Sequence, residues 1–142
     1  MIGNWQLITS SQERKAAEQI LNNCQQLPDI QGVVIGSGGS GGHKRWCLQP
    51  WRNLEAAAAS SGAWLESIGI EVDRVIVVNP LPKHHMGGLM PEVRAKLWKV
   101  PVLDIPTEQL KTPSALLEQL KDQKSFKTRN LVISMVPTQL IR

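Results

Sequence analysis

A short apolar run that opens into a glycine- and serine-rich loop is the feature that most restricts the fold of this chain. The run covers residues 33–35 (Val-Val-Ile), and the loop that follows reads Gly36-Ser37-Gly38-Gly39-Ser40-Gly41-Gly42. A second apolar stretch, Trp46-Cys47-Leu48-Gln49-Pro50, comes after the loop and stops at a proline, which is typical of a strand. The pattern predicts a glycine-rich β-hairpin with strands over residues 32–36 and 45–49.

The composition of this loop suits the binding of phosphate. Glycine lacks a Cβ atom, so backbone N–H groups can turn toward a bound anion and lie close to it. Ser37 and Ser40 add hydroxyl donors, while Lys44 and Arg45 add positive charge. The loop has neither the Walker A spacing nor the dinucleotide-binding fingerprint, and a simple glycine-rich turn remains an open alternative. A flexible linker is disfavoured, because only a short piece of chain precedes the loop.

Length and composition indicate one globular domain. The chain has 142 residues, of which 42% are hydrophobic and 20% are charged, and its net charge is +4. Lysine and arginine are scattered along the chain, so the charge does not indicate a nucleic-acid partner. No apolar run is long enough to span a membrane and no export signal is visible, so we expect a cytoplasmic protein. Cys24 and Cys47 form no disulfide framework and are expected to be buried thiols in a reducing compartment.

Strand and helix patterns alternate along the chain. Apolar residues at helical spacing predict helices over residues 12–26, 53–68, 89–99 and 107–122, and β-branched runs predict further strands over residues 5–9, 72–79, 100–105 and 131–135. This order predicts an α/β fold of three layers, with a mainly parallel sheet flanked by helices. A second unusual loop, residues 80–88, also follows a buried strand. Because ligands bind beyond the carboxyl ends of such strands, both loops could serve one site.

Three segments, taken together, resemble the adenylate-forming acyl-CoA synthetase superfamily. The glycine loop with Lys44 and Arg45 is similar to its phosphate-binding loop, and Asn79-Pro80-Leu81-Pro82-Lys83-His84-His85-Met86-Gly87-Gly88-Leu89 is similar to its L-P-x-x-H segment. Val136-Pro137-Thr138-Gln139-Leu140 resembles a third motif, which opens a helix. From about residue 32 onward, the sequence of these segments is most similar to that of o-succinylbenzoate–CoA ligases of the cyanobacterial type. Matching segments include residues 45–47, 49–50 and 88–91.

The resemblance implies both a reaction and a set of site residues. The reaction is attack of a carboxylate on the α-phosphorus of ATP to give an acyl-adenylate, followed by thioester formation with CoA, with Mg²⁺ as the metal. The implied acid is o-succinylbenzoate, in menaquinone or phylloquinone synthesis. His85 would line the pocket where the carboxylate meets the α-phosphate, and Gly87 and Gly88 would border the acyl substrate. The residues implied to hold the phosphates are Ser37, Gly38, Gly39, Ser40, Gly41, Gly42, Lys44 and Arg45.

The chain departs from the family pattern in two ways. Gly41 replaces a threonine, Lys44 replaces a proline and Lys83 replaces an apolar residue. The family's later motifs, including its C-terminal lysine, should lie beyond Arg142. We therefore expect residues 1–142 to be a single domain that forms part of the large N-terminal domain of a synthetase, without its C-terminal part and lid domain. Such a fragment should not turn over alone, and it could self-associate through surfaces that the missing region covers.

Two other functions compete with this interpretation. The first is a non-catalytic module that binds nucleotide or a protein partner and derives from a truncated synthetase. The second is a serine hydrolase, because Gly38-Gly39-Ser40-Gly41-Gly42 fits the G-x-S-x-G pattern, although that elbow requires a helix directly after the serine. The pair His84-His85 does not predict a metal site, since no acidic or cysteine partner stands at a ligand spacing.

Overall fold

The computed structural model describes residues 4–24, 27–37, 45–121 and 129–136. Strands and helices alternate along most of this part of the chain, as the sequence predicts. Two short 3₁₀ turns, Val72–Arg74 and Thr107–Lys111, lie between these elements. The elements in chain order are β1 (Trp5–Ile8), α1 (Arg14–Asn22), β2 (Gly32–Gly36), β3 (Trp46–Pro50), α2 (Trp51–Ser67), β4 (Val75–Asn79), α3 (Met86–Trp98), β5 (Val102–Asp104), α4 (Pro113–Lys121) and β6 (Asn130–Ile133).

The described strands form two three-stranded sheets. The first has the order β1-β2-β3, in which β1 and β2 are parallel and β2 and β3 are antiparallel. The antiparallel register runs from Gly32 opposite Pro50 to Gly36 opposite Trp46, so the predicted hairpin strands are confirmed. The second sheet has the order β5-β4-β6, and both of its strand pairs are parallel. The mainly parallel α/β fold is therefore confirmed, with its strands divided between two sheets.

Helix α3 lies between the two sheets. Its Leu89 and Val93 share a core cluster with Val33 and Ile35 of β2, while its Ala95 packs with Val75 and Val77 of β4. The outer face of the first sheet is covered by α1, through Leu21, and the outer face of the second by α4, through Leu116. Each sheet is thus the middle of a helix–sheet–helix arrangement, and the two arrangements share α3.

Strand β4 is buried on both faces. All five of its residues are buried, and successive side chains alternate between the α3 side and the α4 side. This burial explains why the strand is a continuous apolar run, as is typical of the inner strand of a parallel sheet. The prediction of a central strand is confirmed, although it begins at Val75 because Val72–Arg74 forms a 3₁₀ turn.

Some predicted boundaries and burials are wrong. Helix α2 begins at Trp51, immediately after Pro50, so the predicted first residue, Asn53, lies inside the helix. Gly69, directly after the C-cap residue Ile68, adopts a φ of +84°, a left-handed conformation that is typical of glycine at a helix end. Cys24 is exposed and Cys47 is half-buried, so these two unpaired thiols are not core residues. Cys24 lies after the last turn of α1, which ends at Asn22.

Helix α3 begins earlier than predicted, at Met86, and ends at a residue with a left-handed backbone. Lys99 has a φ of 57°, and Val100 N–H donates to Ala95 C=O across the helix end. The helix expected after Pro137 lies outside the described residues. Within the described part of the chain, no helix combines the length and the apolar character needed to cross a membrane.

Candidate functional site

The two ends of the glycine loop are fastened to each other. The Ser37 N–H donates to the Arg45 carbonyl at 2.7 Å, and the Arg45 N–H donates to Ser37 Oγ at 3.1 Å. A hydroxyl can accept and donate at the same time, so Ser37 Oγ can accept this bond and still donate its own hydrogen. The Arg45 side chain is exposed. The other residues expected to hold phosphate lie outside the described residues: Gly38, Gly39, Ser40, Gly41, Gly42 and Lys44.

His85 occupies the N-cap position of α3. Its backbone is extended, with φ −119° and ψ 153°, and its N–H donates to the Pro82 carbonyl at 3.1 Å. Its own carbonyl accepts from the N–H groups of Gly88 and Leu89 at 3.0 and 2.9 Å. The imidazole lies against that of His84, with ring centroids 4.3 Å apart. Hydrogen bonds therefore hold the backbone of His85 on both sides.

Gly87 and Gly88 lie in the first turn of α3, not in a flexible exit from the loop. A Cβ atom on Gly88 would come within 2.2 Å of the Pro82 carbonyl oxygen, so no other residue fits there without a shift of backbone. A Cβ atom on Gly87 would approach only the end of the Leu81 side chain, at 3.1 Å. Gly88 is therefore required by the packing of the loop on the helix, which the sequence analysis did not foresee.

Asn79 organises the loop between β4 and α3, and sequence reasoning did not assign it a role. Its side chain is 2% exposed. Its Nδ2 donates to the Gly88 carbonyl at 2.9 Å, and its Oδ1 accepts from the Leu81 N–H at 3.2 Å. The sequence does contain a signal for this role: Asn79 is the polar last residue of a buried apolar strand, and a buried amide needs hydrogen-bond partners.

Lys83 carries a second set of contacts across the same loop. Its Nζ lies 3.0 Å from Glu92 Oε1 on α3 and 2.6 Å from Asp104 Oδ2 at the end of β5. A hydrogen bond to Asp104, and to a lesser extent one to Glu92, raises the pKa of Lys83 above its ordinary value, so the ammonium is charged at neutral pH. The departure from the family's apolar residue at this position therefore has a local explanation in two carboxylate partners.

The core connects the two candidate loops. Met86, the residue after His85, packs against the cluster that contains Ile35, and Cys47 packs against the same cluster. Ile35 and Cys47 are paired across the hairpin and adjoin the pair Gly36 and Trp46, which is nearest the glycine loop. Ser37 and Arg45 are thus joined directly, whereas His85 is related to them through this shared cluster.

A cleft of about 870 Å³ opens at the other end of the hairpin. It lies beside α3, and its lining includes Gln31, Pro50, Trp51, Leu89, Val93 and Lys96. None of the described residues expected in the site, which are Ser37, Arg45, His85, Gly87 and Gly88, lines this cleft. Gln31 and Pro50 flank the ends of β2 and β3 away from the glycine loop, so a strand length separates cleft and loop.

Arg94 is a second residue that sequence reasoning did not single out as functional. Its Nε is buried and has no hydrogen-bond partner among the described residues. Burial lowers the pKa of the guanidinium from its ordinary value. Arg94 follows Gly87 by seven residues, which places both on the same side of α3. A half-buried cation of this kind suits an anionic group of a ligand.

Comparisons with known proteins give a structural likeness. The chain is similar to o-succinylbenzoate coenzyme A synthetase (MenE) from Bacillus subtilis in complex with AMP, with a TM-score of 0.59 and 16% identity, over 96% of this chain. A second structure of that synthetase, in complex with the acyl-adenylate intermediate OSB-AMP, is similar at a TM-score of 0.49 and 15% identity, over 94% of this chain and 43% of that one.

Neither the protein-family models nor the curated proteins give a match to the chain. The likeness to the AMP complex is therefore evidence about the fold. The chain spans 37% of the length of that synthetase. The mixed α/β architecture described above is thus similar to the fold of part of that synthetase.

Proposed function

We propose that this chain is part of an ATP-dependent acid–CoA ligase of the adenylate-forming type. The carrying observation is the fold, which is similar to o-succinylbenzoate coenzyme A synthetase at a TM-score of 0.59. The order of the three sequence segments around residues 37–45, 79–89 and 136–140 supports the same proposal. We further propose that the acid is o-succinylbenzoate and that the ligase acts in menaquinone or phylloquinone synthesis. The proposal also includes a cytoplasmic location and the use of Mg²⁺ and CoA.

The proposed role of the glycine hairpin is to hold the phosphates of ATP. Ser37 and Arg45 stand at the base of the loop, where one can donate a hydroxyl and the other a guanidinium to phosphate oxygens. Both residues are held by the strands β2 and β3, so their backbones do not need to be ordered by the ligand. Charge on the phosphates is then neutralised by groups already in place, which favours attack by the substrate carboxylate.

The proposed role of the second loop is to present His85 at the point where the carboxylate meets the α-phosphate. Gly87 is exposed and leaves this part of the first turn of α3 without a side chain, so an acyl group can approach its backbone. Gly88, the second glycine proposed to border the acyl group, is buried, and the side on which its Cβ would stand is filled by the Pro82 and Leu81 carbonyls. Arg94, on the same side of the helix as Gly87, is the proposed partner for an anionic group of the acid. The proposed domain is residues 1–142, as part of a larger synthetase domain.

The first test is a calorimetric titration of the 142-residue chain with ATP and with AMP. We expect binding of ATP by the unaltered chain and binding at least about tenfold weaker for Arg45→Ala, the loss typical of one charge-assisted hydrogen bond. Arg129→Ala is the matched control, because Arg129 is also exposed and stands at the start of β6, away from the hairpin. Equal affinities for the two variants would contradict the proposal.

A second measurement separates an active ligase from a binding module. We expect no ATP-dependent acyl-adenylate exchange by the chain alone, since it spans 37% of the length of the similar synthetase and the proposal assigns the remaining catalytic groups to the part that it does not span. Exchange that appears when the rest of a synthetase is supplied would support the ligase, whereas binding without any such activity would favour the non-catalytic module. The serine-hydrolase alternative gains no support, because the described element after Ser40 is strand β3.

A further inference from the structure

We propose that Asn79 is a positioning residue for His85, holding the loop before α3 so that the imidazole is presented in one place. The inference rests on the proposed function, in which His85 contacts the nucleotide. The two backbone groups bound by the Asn79 amide flank His85 in the sequence: the Leu81 N–H lies before it and the Gly88 carbonyl after it. One buried side chain therefore ties the end of β4 to both sides of the histidine.

The amide of Asn79 fits this task because it donates and accepts at once. Its Nδ2 donates to the Gly88 carbonyl, and its Oδ1 accepts from the Leu81 N–H. An aspartate of the same shape could accept from Leu81 but would turn a carboxylate oxygen toward the Gly88 carbonyl. At 2% exposure, water does not replace the lost donor. Asn79→Asp is thus a variant of conserved size that keeps the bond from the Leu81 N–H and loses the bonds that Nδ2 donates to the Gly88 carbonyl and to Glu92 Oε1.

A second set of polar contacts, made by Lys83, holds the same loop. Glu92 Oε1 accepts from Asn79 Nδ2 at 3.4 Å and from Lys83 Nζ at 3.0 Å. Lys83 also reaches Asp104, which pairs in register with Asn79 on the neighbouring strand β5. The four polar side chains thus link the carboxyl ends of β4 and β5 to the loop and to α3. His85 lies between the two anchored points, Lys83 and Gly88.

Burial distinguishes this role from direct contact with a ligand. The 2% exposure of Asn79 leaves its amide out of reach of a bound nucleotide, so any effect on binding must pass through the loop. His85 is the only residue of this loop to which the proposed function gives a contact with the nucleotide. A double-mutant cycle between the two residues therefore tests the inference.

The experiment measures AMP affinity for the unaltered 142-residue chain, Asn79→Asp, His85→Ala and the double variant. We expect each single change to weaken binding about tenfold and the double variant to bind no more weakly than His85→Ala. Asn130→Asp, at an exposed asparagine on β6, is the matched control and should bind as the unaltered chain does. Losses that multiply in the double variant would overturn the inference.

Amide exchange and the imidazole NMR signals of His85 provide a readout that needs no nucleotide. The Gly88 N–H donates to the His85 carbonyl, so in Asn79→Asp we expect this N–H to exchange faster and the His85 signals to shift, with Asn130→Asp unchanged. If the unaltered chain fails to bind AMP, the proposed function is wrong, and unchanged exchange and His85 signals would separately overturn the positioning role. Should Asn79→Asp not fold, Asn79→Ala replaces it in every measurement, because alanine removes both hydrogen bonds without placing a carboxylate in the core.

Discussion

At the scale of single residues, the loop between β4 and α3 depends on a position that accepts glycine only. That position is Gly88, because a Cβ atom there would lie 2.2 Å from the Pro82 carbonyl oxygen and 2.6 Å from that of Leu81. Both obstacles are backbone atoms, so relief requires the loop to move. Gly87, in the same turn, faces only the flexible end of Leu81. The packing of the loop therefore requires glycine at position 88 but not at position 87.

This contrast gives a prediction for stability. We expect Gly88→Ala to lower the free energy of unfolding by about 1–3 kcal/mol, the range typical of an overpacked site. Gly87→Ala should leave it unchanged or raise it by up to about 1 kcal/mol, because alanine favours a helix more than glycine does. Urea unfolding followed by circular dichroism measures both. Equal effects of the two substitutions would mean that the loop does not pack on the helix as described.

At the scale of elements, the contact between α2 and α3 depends on a small residue opposite a large one. Gly62 lies on the buried side of α2, where a Cβ atom would come within 2.9 Å of Trp98 Nε1. The same indole N–H donates to the Ala58 carbonyl at 3.0 Å, which fixes the ring between the two helices. Because α3 also contacts both sheets, the position of this pair affects the whole core.

We expect Gly62→Ala to destabilise the protein by about 1–3 kcal/mol, although alanine has the higher helix propensity. Ser60→Ala is the control in the same helix, since Ser60 is exposed and bonds only to the Ala56 carbonyl. Thermal unfolding of the two variants provides the comparison. A rise in stability for Gly62→Ala would show that the indole can move away at no cost.

The elements differ in how well they could be predicted. Strands β2 and β4 were predictable because β-branched apolar runs of this length suit a buried strand better than a helix. Their assignment to two sheets was not, since both faces of each strand are apolar and the pattern does not reveal which face meets α3. Apart from the bond between Asn79 and Leu81, the contacts of Asn79 and Lys83 join residues 9 to 21 positions apart, and no local periodicity encodes such pairs.

At the scale of the whole molecule, an apolar patch remains exposed. Trp64 and Ile68 are four residues apart in the last turn and C-cap of α2 and are 62% and 53% exposed. Large exposed side chains of this kind are typical of a surface that another chain or segment contacts. The self-association expected of the isolated chain would use such a surface.

We therefore expect light scattering to give an apparent mass that rises with the concentration of the chain. Trp64→Gln should reduce this rise, because it removes the largest exposed apolar side chain of the patch. Leu117→Gln is the matched control, since Leu117 is 52% exposed on a different helix, α4. A constant monomer mass for the unaltered chain over all concentrations would contradict the prediction.

The parallel pairing of β4 also bears on the order in which the chain folds during synthesis. The described strands of the first sheet are β1, β2 and β3, and all three have been synthesised once the ribosome has added Pro50. Strand β4 pairs through Val77 with Val102 and Val132, and the second of these emerges 55 residues later. Until then the apolar strand has an open edge, which is where nascent chains attract chaperones or aggregate. Slower elongation over residues 80–133 should therefore change the yield of this protein more than slower elongation over residues 1–50.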